Sequence, residues 1–190
     1  TIAELLLQRL HGSARQEMRM RHGEVAGGRS CVIAMGKMGG REMTASSDLD
    51  LMLIYDSEPG TENSNGAKPL SVNQYFTRLT QRLINSITAP TGEGVLFEVD
   101  MRLRPSGSQG PVATSLESFR DYQKTSAWTW EKLALTRARV VCGDAGLADA
   151  LSKAITASLC AERDAATTRQ DVLDMRRLMV KEQGSAGLWD

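Results

Sequence analysis

Only two histidines, His11 and His22, occur among the 190 residues, and both fall in one N-terminal stretch. So little imidazole nearly excludes Ser-His-Asp, Cys-His and zinc chemistry, and it leaves any catalysis to carboxylates and arginines. Three cysteines, Cys31, Cys142 and Cys160, are odd in number and lack paired spacing, so reduced thiols are predicted rather than a disulfide framework. No apolar run approaches the ~18 residues a membrane span needs. The opening Thr1-Ile2-Ala3-Glu4 has no basic segment ahead of an apolar core, and no signal peptide is read. A cytoplasmic protein without a membrane partner is expected. Net charge is missing too, with 23 Lys and Arg against 23 Asp and Glu. Neutrality argues against a whole-surface grip on nucleic acid or anionic lipid, but not against a local charged patch. What remains, 41% hydrophobic and 24% charged residues, is ordinary for a globular chain. The length suits one domain, or one domain and the start of a second.

The apolar pattern divides the chain into elements. Leu5, Leu6 and Leu10 at helical spacing predict a helix over residues 1–22, with His11 and His22 on its surface. The helix shows no cap and no initiator Met, so the chain is expected to be cut from a longer polypeptide. Ser30 to Met35, an apolar run bounded by glycines, predicts a buried strand in which Cys31 is inert packing. The Gly36-Lys37-Met38-Gly39-Gly40 turn follows, then a short helix through Glu42 and Met43. Asp48 to Tyr55 predicts a second strand, and residues 57–70 a mobile loop. Ser71 caps a helix with Val72, Tyr75, Phe76, Leu79, Leu83 and Ile87 in one apolar stripe.

Val95 to Arg104 reads as a third strand. Val95, Phe97, Val99, Met101 and Leu103 share one face, and Glu98, Asp100, Arg102 and Arg104 the other. Thr114-x-x-Glu117 predicts a capping box for a helix through Tyr122. Trp130, Leu133, Ala134, Ala138 and Val141 mark another helix, and all from Asp144 reads as helical up to Gly184, ahead of a short Trp-bearing tail. Trp128 and Trp130 are expected to divide between the core and an interface. The predicted fold class is α+β: an N-terminal helix over 1–24, a core over 25–125 built on a small mixed sheet, and a helical extension over 126–190 packed on it.

Three groups of residues carry chemistry. The Gly36 turn matches neither Gly-x-x-x-x-Gly-Lys-Ser/Thr nor Gly-x-Gly-x-x-Gly. A strand, a glycine, Lys37 and a helix start nonetheless suit a phosphate; the plainer role is to let a strand fold back. Next comes Ser46-Ser47-Asp48-Leu49-Asp50-Leu51. In a strand Asp48 and Asp50 point the same way while Leu49, Leu51 and Leu53 enter the core. Two such carboxylates repel unless a cation or an arginine lies between them, and Mg²⁺ takes carboxylates together with phosphate oxygens. A charged sheet edge is the alternative, weakened by the apolar Leu-Met-Leu-Ile continuation. Third, Asp100 completes a three-carboxylate cluster if its strand neighbours that of Asp48. Such a cluster can hold two Mg²⁺ ions roughly 3.5–4 Å apart for in-line displacement at phosphorus. Arg102 and Arg104 would then grip phosphates, or else pair with Asp48 and Asp50 across strands. Together these features point to a nucleotidyltransferase site.

The same residues carry a family resemblance. Ala34-Met35-Gly36-Lys37-Met38-Gly39-Gly40-Arg41-Glu42 through Ser47-Asp48-Leu49-Asp50-Leu51 resembles the glutamine synthetase adenylyltransferases. So do Glu98-Val99-Asp100-Met101-Arg102-Leu103-Arg104-Pro105-Ser106-Gly107 and Trp128-Thr129-Trp130-Glu131 with Leu135-Thr136-Arg137-Ala138-Arg139. The resemblance spans roughly residues 25–183 and implies a DNA polymerase β-like nucleotidyltransferase fold. That family joins two such domains in one long polypeptide: one adenylylates a tyrosine of glutamine synthetase with ATP, and the other removes AMP by phosphorolysis. The Trp-Thr-Trp-Glu and Leu-Thr-Arg-Ala-Arg blocks resemble the C-terminal, adenylylating half more closely. Glutamine and the PII protein are implied as regulators acting through the longer chain.

Carried over, Asp48, Asp50 and Asp100 would be the Mg²⁺ ligands, with Asp100 as general base. Gly36 and Lys37 would face the triphosphate, with Ser46 and Ser47 as further donors. Arg102 and Arg104 would neutralise charge on the leaving pyrophosphate. Arg137 and Arg139, two apart on the expected helix, are read as partners of Glu131 or Glu117. Competing readings are the phosphorolytic half, a non-catalytic nucleotide-sensing module, and a nucleic-acid polymerase or tRNA nucleotidyltransferase; the neutral charge disfavours the last.

Overall fold

The computed structural model describes residues 1–44 and 46–183. Its centre is strand β1 (Arg29–Ala34), antiparallel on one side to β2 (Leu49–Asp56) and on the other to β5 (Arg139–Gly143). The outer edge of β2 is shared by two short parallel strands. β3 (Val99–Asp100) pairs with its start and β4 (Ala113–Ser115) with its end. The chain is therefore α+β, a small mixed sheet with flanking helices.

Strand alternation sends neighbouring side chains to opposite faces, and each face has its own core. Val32, Ala34, Leu49, Leu51 and Leu53 pack under α1 (Ile2–His22) and α3 (Val72–Ile87). Cys31, Ile33, Met52 and Ile54 pack under α4 (Leu116–Thr125) and α6 (Ala145–Cys160). The stripe foreseen on α3 is realised: Tyr75, Phe76, Leu79, Leu83 and Ile87 are buried, and the Ser71 hydroxyl accepts the Gln74 N–H as its cap. Full burial of each Phe, Leu or Ile side chain in this stripe contributes about 1.5–3 kcal/mol.

Several expectations are corrected. The strand over residues 95–104 shrinks to Val99–Asp100, because β4 occupies the edge of β2 beyond Asp50. Val95 and Leu96 stand exposed, and Arg102 to Arg104 turn away. The helix after the glycine turn does not run through Glu42 and Met43; it is the turn itself, α2 (Gly36–Gly39). Thr114 lies in β4, and Ser115, one residue later, caps α4 by accepting the Ser118 N–H. The 57–70 loop is pinned by backbone hydrogen bonds from Ser64 to Leu70 and from Gly66 to His22.

The segment after residue 126 is not wholly helical. α5 (Thr129–Ala134) runs into a 3₁₀ turn at Leu135–Arg137, and Val141 then lies in β5. The α5 start is held by Glu131, which accepts the Trp128 N–H and the Tyr122 hydroxyl. Neither tryptophan enters the core, Trp128 being 69% and Trp130 40% exposed. α7 (Ala165–Gln183) follows α6, and the expected stop at Gly184 and the tail lie outside the described residues. α1 does have a cap, a reciprocal Thr1–Glu4 box.

The histidines are not on the surface. His22 donates its Nδ1–H to the Lys68 carbonyl, 2.8 Å away. His11, 3% exposed, pairs its Nε2 with Ser30 Oγ at 2.9 Å. Burial, with the nearby Arg15 cation, pushes its pKa down from 6.5 to about 4. A base whose folded pKa lies below its unfolded value binds its proton only on unfolding. This stability is present in full above pH 6.5 and drains away as pH falls toward 4. The wild type is expected to lose about 2 kcal/mol more than His11→Gln between pH 7.5 and 4.5, measured by urea unfolding.

Candidate active site

The glycine turn and the charged strand starts meet at one end of the sheet. Asp50 and Asp100 are register partners on the adjacent parallel strands β2 and β3, so their side chains lie on the same face. That face is the one that buries Met52 and Ile54 further along β2. The main chain of Asp50 is tied to the turn by the Met35 N–H, 2.9 Å from the Asp50 carbonyl. Asp48 sits exposed just ahead of β2. Partial burial and the negative fields of Asp100 and Asp48 raise the Asp50 pKa above the ordinary carboxylate range. Hydrogen bonds from Arg102 hold that of Asp100 below it.

Gly36 is required where it stands. It opens α2 at φ +49°, in the left-handed region, and a Cβ there would overlap the Asp50 carboxylate. The missing side chain is thus the space Asp50 occupies. Lys37 is exposed on the same turn and offsets some of the charge felt by Asp50. Ser46 is exposed, whereas Ser47 is buried, its Oγ 2.9 Å from both the Thr44 N–H and the Thr44 hydroxyl. That bond shapes the loop leading into Asp48.

Arg102 is the one arginine of its block that reaches the carboxylates. Its Nε lies 2.7 Å and its Nη2 2.5 Å from Asp100 Oδ2, and its N–H donates to Oδ1. The guanidinium is otherwise open to solvent. No three His, Cys, Asp or Glu side chains among the described residues stand close enough to hold a metal ion. A cavity of about 680 Å³ lies at the other end of β2, around Arg29, Asp56 and Tyr75, and contains none of these groups.

The family model described as glutamate-ammonia ligase adenylyltransferase matches residues 1–154, which hold every residue named above as part of the site. The chain belongs to this family. Over its whole length it is 50% identical to the bifunctional glutamine synthetase adenylyltransferase/adenylyl-removing enzyme of Agrobacterium fabrum. It is 49% identical to those named alike in Rhizobium meliloti and Brucella suis. The chain spans 19% of the length of these relatives.

Three further arginines of these sequence blocks have other work. Arg104 is buried and donates to three carbonyls, those of Met101, Ser108 and Gly110, so it folds the loop behind Arg102. Arg139 lies on β5, not on a helix; it donates to the Met38 and Gly39 carbonyls at the end of α2 and pairs with Glu4 of α1 at 2.5 Å. Arg137 packs against Gly40 and pairs with Glu42, while its carbonyl fills the space where a Gly39 side chain would be. Neither arginine pairs with Glu131 or Glu117. The sequence offered only their spacing, which reads as one face of a strand as readily as opposite faces of a helix. Arg139→Met is expected to cost about 1–2 kcal/mol of stability and to loosen the turn under Asp50. Urea unfolding of the two proteins measures the first effect, and nucleotide transfer the second.

Proposed function

We propose that this chain is the adenylylating, C-terminal nucleotidyltransferase unit of its family, with a DNA polymerase β-like fold. It transfers AMP from ATP to a tyrosine hydroxyl of glutamine synthetase in the cytoplasm. The observation that carries this reading is the placement of Asp50 and Asp100 side by side on neighbouring strands, with the side-chain-free Gly36 against the Asp50 carboxylate. The catalytic residues of the proposal lie within 25–125, flanked by 1–24 and 126–190. Glutamine and PII would act through the remainder of a longer polypeptide.

The donor chemistry fits Mg²⁺: the side chains offer oxygen only, and Asp100 and Asp48 raise the cost of charge on Asp50, which a bound cation would relieve. Asp48, Asp50 and Asp100 would hold the ions, Asp100 after its release by Arg102. Bound there, Mg²⁺ supplies charge neutralisation at the phosphates and a lowered pKa for the attacking hydroxyl. The tyrosine oxygen forms a bond to the α-phosphorus, the bond to the β-phosphate oxygen breaks, and pyrophosphate departs with the electron pair. Asp100 takes the hydroxyl proton, serving by position more than by basicity. Arg102, freed from Asp100, presents a forked cation to the departing phosphates. Lys37 adds charge from the turn, and Ser46 a hydroxyl. Ser47 and Arg104 set the loops that carry these groups.

Two incubations test the reading. ATP with unmodified glutamine synthetase is expected to yield radiolabelled adenylyl-enzyme and pyrophosphate. Phosphate with adenylylated synthetase is expected to release no ADP. The opposite pattern would identify the adenylyl-removing unit, and no reaction in either would remove the catalytic reading.

A further inference from the structure

Helices α4, α5 and α6 enclose a groove of about 590 Å³, within the size range of small-molecule sites. Four cations line it, Arg120, Lys124, Lys132 and Lys153, against one carboxylate, Glu162. In a chain with 23 charges of each sign, that is a marked local excess. Lys153 has an exposed ion pair with Asp149. Arg120, Lys124 and Lys132 have no carboxylate partner among the described residues, although Lys132 is half-buried.

A second, independent feature is Gln123, which lines the groove while only 7% exposed. Its amide oxygen accepts the buried Ser158 hydroxyl at 3.2 Å. Its amide nitrogen has no acceptor among the described residues. It is not sealed from solvent, so it stands open to whatever fills the groove. The packing that buries Gln123 also fixes its direction, which solvated lysines alone would not do.

We propose that this groove binds a small, multiply charged phosphate anion, with the Gln123 amide as the fixed donor and Arg120, Lys124 and Lys132 as its counter-charges. The donors come from two of the helices that line the groove. That suits the outward-pointing oxygens of a phosphate chain better than the plane of a single carboxylate. The groove shares no residue with the Asp50 site, and the proposal stands whether or not the reaction above is correct.

Calorimetric titration of the chain with inorganic tripolyphosphate, without Mg²⁺ and at 0.15 M salt, tests it. Wild type is expected to bind one equivalent. Lys124→Gln/Lys132→Gln should bind about tenfold or more weakly, two charge-assisted contacts being lost. Lys124→Arg/Lys132→Arg should bind within about threefold of wild type, and Arg102→Gln should match it. The proposal is overturned by an absent wild-type signal or by unchanged affinity in the glutamine variant. Loss of binding in Arg102→Gln would overturn it too, by placing the anion at the Asp50 site. Equally tight citrate binding would overturn the phosphate assignment.

Discussion

Asp50→Asn is expected to lower AMP transfer by about 10³-fold or more, roughly 4 kcal/mol of transition-state stabilisation, without loss of fold. The two halves of that expectation rest on different observations. Activity falls because the carboxylate at the join of β2 and the glycine turn is the proposed anchor for the metal and triphosphate. Stability does not fall, because the Asp50 charge is unfavourable where it sits. Its pKa is raised by partial burial and by Asp100 and Asp48. An acid whose folded pKa lies above its unfolded value subtracts stability once pH exceeds the unfolded value. Removing that charge at neutral pH should leave the urea midpoint unchanged or slightly higher. Near-normal labelling of glutamine synthetase by the variant would refute the metal-site assignment.

Gly36→Ala should show the converse pairing of effects. An L side chain at φ +49° costs about 1 kcal/mol, and the added methyl must displace the Asp50 carboxylate. The carboxylate is the end of a rotatable side chain, so the protein should still fold, at a total cost of about 1–2 kcal/mol. A reacting group moved by an ångström can lose about 10²-fold in rate, and transfer is expected to fall by that order. Thermal unfolding and the AMP-transfer assay, run on the same preparation, separate the two consequences. A stable variant with normal transfer would show that the turn and Asp50 are not coupled.

Much of this site was legible in the residues themselves. Asp48 and Asp50 stand out because a strand of period two must put them on one face while Leu49, Leu51 and Leu53 are buried, as they are. The helix over Val72–Ile87 was equally plain, since its apolar spacing and serine cap agree. What failed was information that resides in distant neighbours. Val141 matched a helical stripe by spacing, yet β1 has a second edge to fill and takes Arg139–Gly143 as its partner. The charged alternation after Val95 promised a long strand, but β4 competes for the same edge of β2. His11 and His22 looked like surface residues because their partners, Ser30 and the Lys68 carbonyl, lie 19 and 46 residues away. Arg104 read as a phosphate ligand, and Arg139 as a partner of Glu131 or Glu117, for the same reason: the carbonyls that claim them come from loop and turn geometry that spacing does not encode.

Mn²⁺ soaked with a non-hydrolysable ATP analogue into crystals of the chain gives the most direct measurement, through the anomalous signal of the metal. A peak bound to the carboxylates of Asp50 and Asp100, with Arg102 turned from Asp100 toward the phosphates, is the expected result. A nucleotide bound with its metal away from both carboxylates, and the Arg102–Asp100 pair intact, would contradict the proposed site.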